Sequence, residues 1–287
     1  MLAVLVVFWN YRDFNRPKAN LRRFLRQMER EGAPVFGLEI CLPGQTPVSM
    51  GWSNWWHVTA DPTDQMLWQK EAAFNLLEPN VPEEFTKLAW IDPDIWFTNP
   101  RWRQETEEKL EDLDIVQMFD SALWTAEDGS IELTRASVVR VPGITRDWTS
   151  HPGFAWAMRR RTWRKGRGLY PYCLSGGGDT MMAQVFLGQK PKPFTAPHLG
   201  ADWTAFDAWS SGYQGVTCGL VSGQVIHEWH GTRKDRNYWQ RALNVARVVH
   251  GQEIQIGHNG LLRWSAGAPA DLREIVAKYF QDRKEDG

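Results

Sequence analysis

The stretch of sequence that decides the fold is Leu88-Ala89-Trp90-Ile91-Asp92-Pro93-Asp94-Ile95-Trp96-Phe97. Its first four residues are apolar, which is typical of a strand buried in a layered fold. Pro93 lacks an amide hydrogen and fixes φ, so the strand ends between two carboxylates. Buried acids are costly unless a positive charge neutralises them, and their oxygens suit Mg²⁺ or Mn²⁺. The stretch therefore predicts a divalent cation bound at the carboxyl end of a strand. The alternative is a turn whose acids face solvent.

The composition is that of a globular chain with a balanced charge. The 287 residues are 43% hydrophobic and carry a formal net charge of -1, so no basic field indicates nucleic acid or a membrane surface. Cys41, Cys173 and Cys218 are too few and too scattered for a disulfide framework or a zinc site, which predicts a reducing, cytoplasmic compartment. We interpret most of the seventeen tryptophans as core residues and expect others to line a groove.

The apolar N-terminal run is interpreted as a strand. Residues 1–9 lack a basic leader and a small-residue cleavage site, and polar residues follow directly, which argues against a signal peptide. The sequence contains no apolar stretch of about 18 residues, the length that indicates a membrane-spanning helix, so no integral membrane segment is predicted.

Strand and helix patterns alternate along the chain. A strand over 2–8, an amphipathic helix over 17–31 and a strand over 34–40 form a βαβ unit, which predicts a parallel sheet. We further predict helices over 64–77, 99–112, 180–187, 239–249 and 269–284, strands over 114–119, 153–158 and 225–231, and loops over 43–62, 121–150 (or a β-excursion there) and 190–222. The simplest division is one α/β domain, 1–250, followed by a C-terminal appendage, 251–287, with a terminal helix and a frayed, charged tail.

Four polar clusters are expected at the carboxyl ends of strands. In open α/β sheets, ligands bind beyond the carboxyl ends of the strands, so we expect the four to converge in one crevice. They are Asn10–Asp13, Asp92 with Asp94, Gly176–Asp179 and His227–Arg236.

The predicted cation needs more ligands than the two acids. Asp94 is expected to bind the ion directly, whereas Asp92 is expected to reach a ribose or a metal-bound water. His227 and His230 are candidates for a further ligand, with diphosphate oxygens completing the shell. The alternative for both histidines is ordinary hydrogen bonding or exposure at the surface.

Other charged side chains offer acid–base chemistry and phosphate binding. Asp179 follows three glycines at the start of a predicted helix. It is interpreted either as a general base for an acceptor hydroxyl or as a plain N-cap. Lys70 and Glu71 lie in a predicted helix and are an ordinary exposed pair; the alternative is that Gln69 and Lys70 face the cleft. Arg233 and Arg236 can clamp phosphate oxygens; the alternative is a solvated run of charge.

Taken in this order, the motifs resemble those of nucleotide-diphospho-sugar glycosyltransferases of the GT-A fold, in the family-2-like and galactosyltransferase-type branches. The resemblance covers about residues 2–245. The matching pieces are the strand end at 6–11, the helix at 69–75, the DxD motif at 92–94, the strand at 153–157, the glycine-Asp motif at 176–179, and His227, His230, Gly231, Arg236, Tyr238 and Arg241.

The resemblance implies a Rossmann-like three-layer sandwich with a mostly parallel central sheet. It also implies transfer of a sugar from a nucleotide-diphosphate sugar to an acceptor hydroxyl, with Mn²⁺ or Mg²⁺ held by Asp92, Asp94 and His230 or His227. Asp179 is implied as the base of an inverting reaction, although Gly178 stands where many relatives carry Glu, so a retaining mechanism stays open. The implied donor-binding residues are Asn10, Tyr11, Arg12, Lys70, Asp92, Arg233 and Arg236, and the implied acceptor-binding residues are Trp156, Gly177 and Gly178.

Two other functions fit parts of the pattern. A nucleotidyltransferase would also use paired carboxylates and a metal, but no glycine-rich, lysine-containing loop follows the first strand. A non-catalytic sugar- or nucleic-acid-binding module would use the basic segment 135–167 with Trp148, Trp156 and Trp163. The same segment would suit a glycosyltransferase whose acceptor is a modified base in DNA rather than a glycan or small molecule. The alternative for this segment is an exposed helix.

Overall fold

A computed structural model describes residues 1–142, 150–191, 203–232 and 253–287. The strands are β1 (Leu2–Trp9), β2 (Val35–Cys41), β3 (Trp55–Thr59), β4 (Lys87–Ile91), β5 (Ile95–Phe97), β6 (Ile115–Gln117), β7 (Ser121–Thr125), β8 (Ile131–Ser137), β9 (Ser150–His151), β10 (Ala155–Arg159), β11 (Cys218–Leu220), β12 (Gln224–His227), β13 (Ile254–Ile256) and β14 (Leu262–Trp264). The helices are α1 (Asn15–Arg30), α2 (Lys70–Leu77), α3 (Trp102–Asp112), α4 (Arg160–Lys165), α5 (Gly178–Phe186), α6 (Thr204–Ser211) and α7 (Ala270–Asp282).

The central sheet of the described chain has seven strands in the order β11-β6-β10-β4-β1-β2-β3. Neighbouring strands run parallel except at β10, which is antiparallel to both β4 and β6. The N-terminal run is the buried central strand β1, as predicted, and the first βαβ unit is confirmed. A mixed α/β fold with a mostly parallel central sheet is therefore confirmed.

Side chains that alternate along β1 face two hydrophobic clusters, one on each side of the sheet. Ala3, Leu5 and Val7 belong to a cluster that includes buried residues of α2, α5, α6 and α7. Leu2, Val4, Val6 and Phe8 belong to the other, with residues of α1, α3 and a second sheet. Because a strand's side chains alternate between its faces, this run of apolar residues suits a strand covered on both sides.

The second sheet has the order β5-β12-β7-β8-β9 in the described residues. It contains much of the stretch 121–150, for which a loop or a β-excursion was predicted. β12 pairs with β5 so that His227 lies opposite Ile95, the residue after Asp94. The second sheet thereby carries one histidine of the predicted metal site to the end of the DxD segment.

Three predicted loops or boundaries were wrong. The expected loop over 190–222 contains α6 and β11 in its described part, because Phe206 and Trp209 pack into the core and β11 pairs with β6. The expected loop over 43–62 contains β3, an edge strand whose side chains are only partly buried and so show no apolar run. The helix expected from residue 64 begins at Lys70, because the Asp61 carboxylate accepts hydrogen bonds from the amides of Thr63 (2.7 Å) and Asp64 (3.3 Å) and holds a turn there. The helix predicted over 239–249 lies outside the described residues.

The C-terminal segment is part of the main core. Its buried apolar side chains belong to the same cluster as Leu5 and Leu88; they are Leu261, Leu262, Trp264, Leu272, Val276 and Phe280. The charged tail after α7 was expected to fray, but the carboxylate of Asp286 accepts hydrogen bonds from the amides of Asn15 (2.9 Å) and Arg16 (2.7 Å). Across the described ranges, no helix has the length and apolarity needed to cross a membrane.

Candidate active site

The site lies where β4 ends and β10 begins. The amide of Asp92 donates to the carbonyl of Phe154 at 2.8 Å, which fixes the start of the DxD segment against the turn before β10. At the other end of the segment, the amide of Glu228 donates to the carbonyl of Asp94 at 2.8 Å. Both acids are therefore held by backbone contacts with elements distant in sequence.

Asp94, His227 and His230 form a group able to hold a metal ion. The Asp94 carboxylate oxygen Oδ2 lies 2.9 Å from Nε2 of His230 and 3.6 Å from Nε2 of His227. One ligand atom from each residue lies within 4.8 Å of the other two. The histidines are 2% and 7% exposed, so an ion here would sit among buried imidazoles and one carboxylate. This donor set fits a divalent cation.

Asp92 faces a different partner. Its Oδ1 lies 2.7 Å from the Lys70 ammonium, which also lies 3.3 Å from Oδ1 of Asp179. Burial raises the pKa of Asp92, and the nearby ammonium opposes that shift. Burial lowers the pKa of Lys70, but Asp179 and Asp92 outweigh it and the net shift is upward. Lys70, expected to bind the donor, thus joins the DxD segment to the predicted base.

Asp179 lies in the first turn of α5 but does not cap the helix. The N-cap is Gly177, at φ +100°, and no side chain caps the helix end. Gly177 is exposed, whereas Gly178 is buried. A Cβ at Gly153 would lie 2.6 Å from Asp179 Oδ2, so the absence of a side chain there leaves space beside the carboxylate. Asp179 remains partly open to solvent, as a proton acceptor must be.

Glu71 is a buried acid whose role the sequence did not indicate. It is 1% exposed, and Oε2 has no hydrogen-bond partner among the described residues. Burial first, and then the Asp179 charge, raises the pKa of Glu71 to about 8. A Cβ at Gly178 would lie 2.5 Å from Glu71 Oε1, so this glycine permits close approach of the acid. Because Glu71 is next to Lys70 in the sequence, the two were predicted to be an exposed pair.

The turn before β10 adds two aromatic residues that sequence reasoning missed. Phe154 has φ +74°, a left-handed conformation that is strained for a bulky residue. Its ring centroid lies 3.9 Å from that of His151 and 4.9 Å from that of His227. Burial lowers the pKa of His151, so this imidazole is neutral. The strained turn thus packs an aromatic ring directly against one histidine of the metal group.

The residues at the end of β1 are mostly structural. The side-chain Nδ2 of Asn10 donates to the carbonyl of Phe14 at 2.7 Å, and its Oδ1 accepts from the backbone amide of Phe14 at 3.0 Å, which holds the loop in place. The Tyr11 hydroxyl is buried and donates to the backbone carbonyls of Gln65 and Leu67. Burial raises the pKa of Tyr11. Of the three residues expected to bind the nucleotide, Arg12 alone is exposed.

Trp156, expected to pack against a sugar, lies in the core instead. Its ring is 3% exposed, stacks on Trp90 at 6.5 Å and donates from Nε1 to the carbonyl of Pro152 at 2.7 Å. Because β10 is a central strand, the indole ring of Trp156 is covered by neighbouring side chains, and neither face of the ring is left for a ligand. Arg233 and Arg236 lie outside the described residues.

The described part of the basic segment exposes basic side chains, among them Arg161, Lys165 and Arg167, but its described tryptophans are buried and form no aromatic surface. Arg160 is buried and donates from Nε to Glu78 Oε1 at 2.6 Å, and Arg164 donates from Nη2 to Glu83 Oε1 at 2.6 Å. Trp163 is buried in the core. These two arginines are therefore neutralised by acids of the same chain.

No protein-family model and no curated protein matches the chain. Solved structures similar to it include the catalytic domain of Drosophila β1,4-galactosyltransferase 7 with xylobiose (11% identity, TM-score 0.40, 76% of this chain and 63% of that one). A second is Mycobacterium tuberculosis glucosyl-3-phosphoglycerate synthase with Mn²⁺, UDP and glucosyl-3-phosphoglycerate (10% identity, TM-score 0.45, 88% of this chain and 82% of that one). A third is a putative Bacillus anthracis glucose-1-phosphate thymidylyltransferase (12% identity, TM-score 0.41, 91% of this chain and 99% of that one). The chain spans less than two thirds of the galactosyltransferase domain. Similarities this distant assign no activity.

Proposed function

We propose that this chain is a metal-dependent glycosyltransferase of the GT-A type, which moves a sugar from a nucleotide-diphosphate sugar to an acceptor hydroxyl. The observation that carries the proposal is the placement of the Asp94, His227 and His230 group on the same edge of the sheet as a partly exposed acid, Asp179. Metal-assisted departure of a phosphate and proton removal from an acceptor need these two parts within one crevice.

The metal group supports binding of the diphosphate. Asp94, His227 and His230 would hold the cation, which when bound neutralises charge on the departing diphosphate. Two imidazoles and a carboxylate favour Mn²⁺ over Mg²⁺, because Mg²⁺ prefers oxygen ligands and keeps several waters. Asp92 would act beside this group through its ion pair with Lys70 rather than as a ligand.

Asp179 supports proton removal from the acceptor. Lys70 holds its Oδ1 and Oδ2 lies against the buried Gly153, while the Asp179 side chain keeps 29% of its surface exposed and so can be reached by an acceptor. An acceptor hydroxyl placed there would lose its proton to the carboxylate as the new glycosidic bond forms, which corresponds to an inverting reaction. The exposed Gly177, beside the same acid, leaves room for the acceptor.

Metal-dependent binding of a donor tests the proposal directly. We expect one nucleotide sugar of a panel, with Mn²⁺, to raise the melting temperature, because a ligand that binds only the folded state stabilises it. Asp94→Asn should abolish that shift and the turnover, whereas Asp112→Asn, an exposed acid at the end of α3, should retain both. Full activity of Asp94→Asn, or activity unaffected by EDTA, would contradict the proposal.

Product analysis separates the remaining alternatives. Release of a nucleoside diphosphate identifies a glycosyltransferase, whereas release of pyrophosphate identifies a nucleotidyltransferase. Retention of the anomeric configuration would remove Asp179 as a base. A panel of glycans, small alcohols and hydroxymethylated DNA distinguishes the acceptor classes.

A further inference from the structure

The last residues of the chain lie against the metal group. We call residues 283–287 the C-terminal strap. Gly231, next to His230, has φ +90°, and a Cβ there would overlap the carbonyl oxygen of Lys284. The strap backbone can therefore approach the His230 segment only because this position is a glycine.

Glu285 is the strap residue that faces His230. It is 9% exposed, and its Oε1 lies 3.8 Å from Nδ1 of His230. The other ring nitrogen, Nε2, lies 2.9 Å from Asp94 Oδ2. The imidazole thus has one carboxylate beside each nitrogen, one from the DxD segment and one from the strap.

Contacts on both sides of Glu285 hold the strap in place. Before it, Arg283 forms an ion pair with Glu285 and donates from Nη1 to the Tyr279 hydroxyl at 2.9 Å. After it, Asp286 accepts hydrogen bonds from the first two amides of α1, where a carboxylate also complements the helix dipole. Since the residues on either side are fixed, Glu285 has little freedom to turn away from His230.

We propose that Glu285 is a positioning residue for the metal site, on the basis of the proposed function. A carboxylate beside the non-ligating nitrogen of a metal-binding histidine fixes the orientation of the ring and makes the ligating nitrogen a stronger donor. In this structure Oε1 of Glu285 pairs with Arg283 and lies 3.8 Å from Nδ1 of His230, which is longer than a hydrogen bond. A small shift of the carboxylate would let it accept from Nδ1, so that Nε2 would face an ion held by Asp94 and His227. The strap is thus part of the active site.

Metal binding by the metal-free protein tests this role without any substrate. We expect Glu285→Gln to weaken Mn²⁺ binding about 10–100-fold in calorimetric titration and to change the electron paramagnetic resonance spectrum of bound Mn²⁺, with little change in the melting temperature of the metal-free protein. Glu285→Asp should recover part of the affinity. Asp282→Asn removes an exposed charge just before the strap and should bind Mn²⁺ as the wild type does.

A second variant tests whether the strap acts through Glu285. Gly231→Ala should displace Lys284 and weaken Mn²⁺ binding, and adding Glu285→Gln to it should cost little more, because both changes remove one interaction. Wild-type affinity in Glu285→Gln, or equal losses in Asp282→Asn, would overturn the role of Glu285 alone. Failure of the wild-type protein to bind Mn²⁺ would overturn the proposed function with it.

Discussion

At the scale of single residues, the site holds three acids around one ammonium group. Lys70 contacts Asp92 and Asp179 directly, and Glu71 is buried beside them. One lysine cannot neutralise three carboxylates, so at least one acid is more stable with its proton. Glu71, which lacks a hydrogen-bond partner for Oε2 within the described chain, is the acid whose pKa is raised to about 8.

Glu71 makes the stability of the protein depend on pH. Between its ordinary value and about 8, Glu71 keeps a proton in the folded state and loses it in the unfolded state. The free energy of unfolding therefore falls as pH rises through this window, by up to about 1.4 kcal/mol per pH unit. We expect Glu71→Gln to flatten this dependence in urea unfolding and to be relatively more stable near the upper end of the window.

The control for this prediction is Glu274→Gln on the exposed face of α7, whose stability curve should run parallel to that of the wild type. A Glu71→Gln curve that also runs parallel would show that Glu71 is ionised in the folded protein.

Residue-level chemistry was only partly predictable from the sequence. Asp94, His227 and His230 stand out because acids and histidines cluster after apolar runs, and the structure brings these three together. Glu71 could not be recognised, because a charged residue in a helix is usually exposed and its burial depends on how α2 packs. Phe154 was missed because nothing in the sequence indicates a left-handed φ at a phenylalanine.

At the scale of elements, the turn before β10 organises the site. The carbonyl of Phe154 accepts a hydrogen bond from the Asp92 amide, and the Phe154 ring packs against His227. Gly153, in the same turn, leaves room for the Asp179 carboxylate. One short turn thus touches the DxD segment, the metal group and the predicted base.

A side chain at Gly153 should disturb this arrangement. In Gly153→Ala the new methyl group would lie 2.6 Å from Asp179 Oδ2, so the carboxylate must move. We expect a loss of about 1–3 kcal/mol in unfolding free energy from overpacking and at least a tenfold loss of kcat, with Mn²⁺ affinity retained. Gly267→Ala, where a Cβ meets no atom within 4 Å, should match the wild type. Wild-type kcat in Gly153→Ala would show that Asp179 is not used.

The positions of most helices and strands in the sequence were more predictable than how the strands pair in the sheet. Apolar runs and helical spacing gave β1, α1, β2 and β4 close to their observed bounds. β3 was missed because an edge strand packs on one side and lacks a continuous apolar run. The reversed direction of β10 leaves no mark in sequence, because a strand's apolar pattern is the same in either direction.

At the scale of the whole molecule, the C-terminal segment and the first 250 residues share one hydrophobic cluster. We expect a chain that stops at residue 250 to lose cooperative unfolding and to bind a hydrophobic dye, because six buried apolar side chains of 253–287 would leave the core open. Glu274→Ala in the full chain, an exposed change in the same segment, should leave the melting curve unchanged. A sharp melting transition in the shortened chain would establish the C-terminal part as a separate appendage.

The convergence of the distant polar clusters could be predicted from the sequence, because it follows from a general rule about where ligands bind in parallel sheets. Strand ends of a parallel sheet share one edge, so Asp94 and Asp179 were expected near each other. The rule gives no information on the strap, which follows a helix and lies against the site at Gly231 and His230.

The contact between the strap and His230 has a consequence for how the protein becomes active during its synthesis. Glu285 is translated long after Asp94 and His230, so a chain still on the ribosome can fold much of its sheet while one side of that imidazole stays unsupported. Tight binding of an ion would then have to wait until Glu285 has been translated and lies against His230. A protease cut between α7 and Glu285 would return the molecule to the same immature condition while leaving the sheet folded.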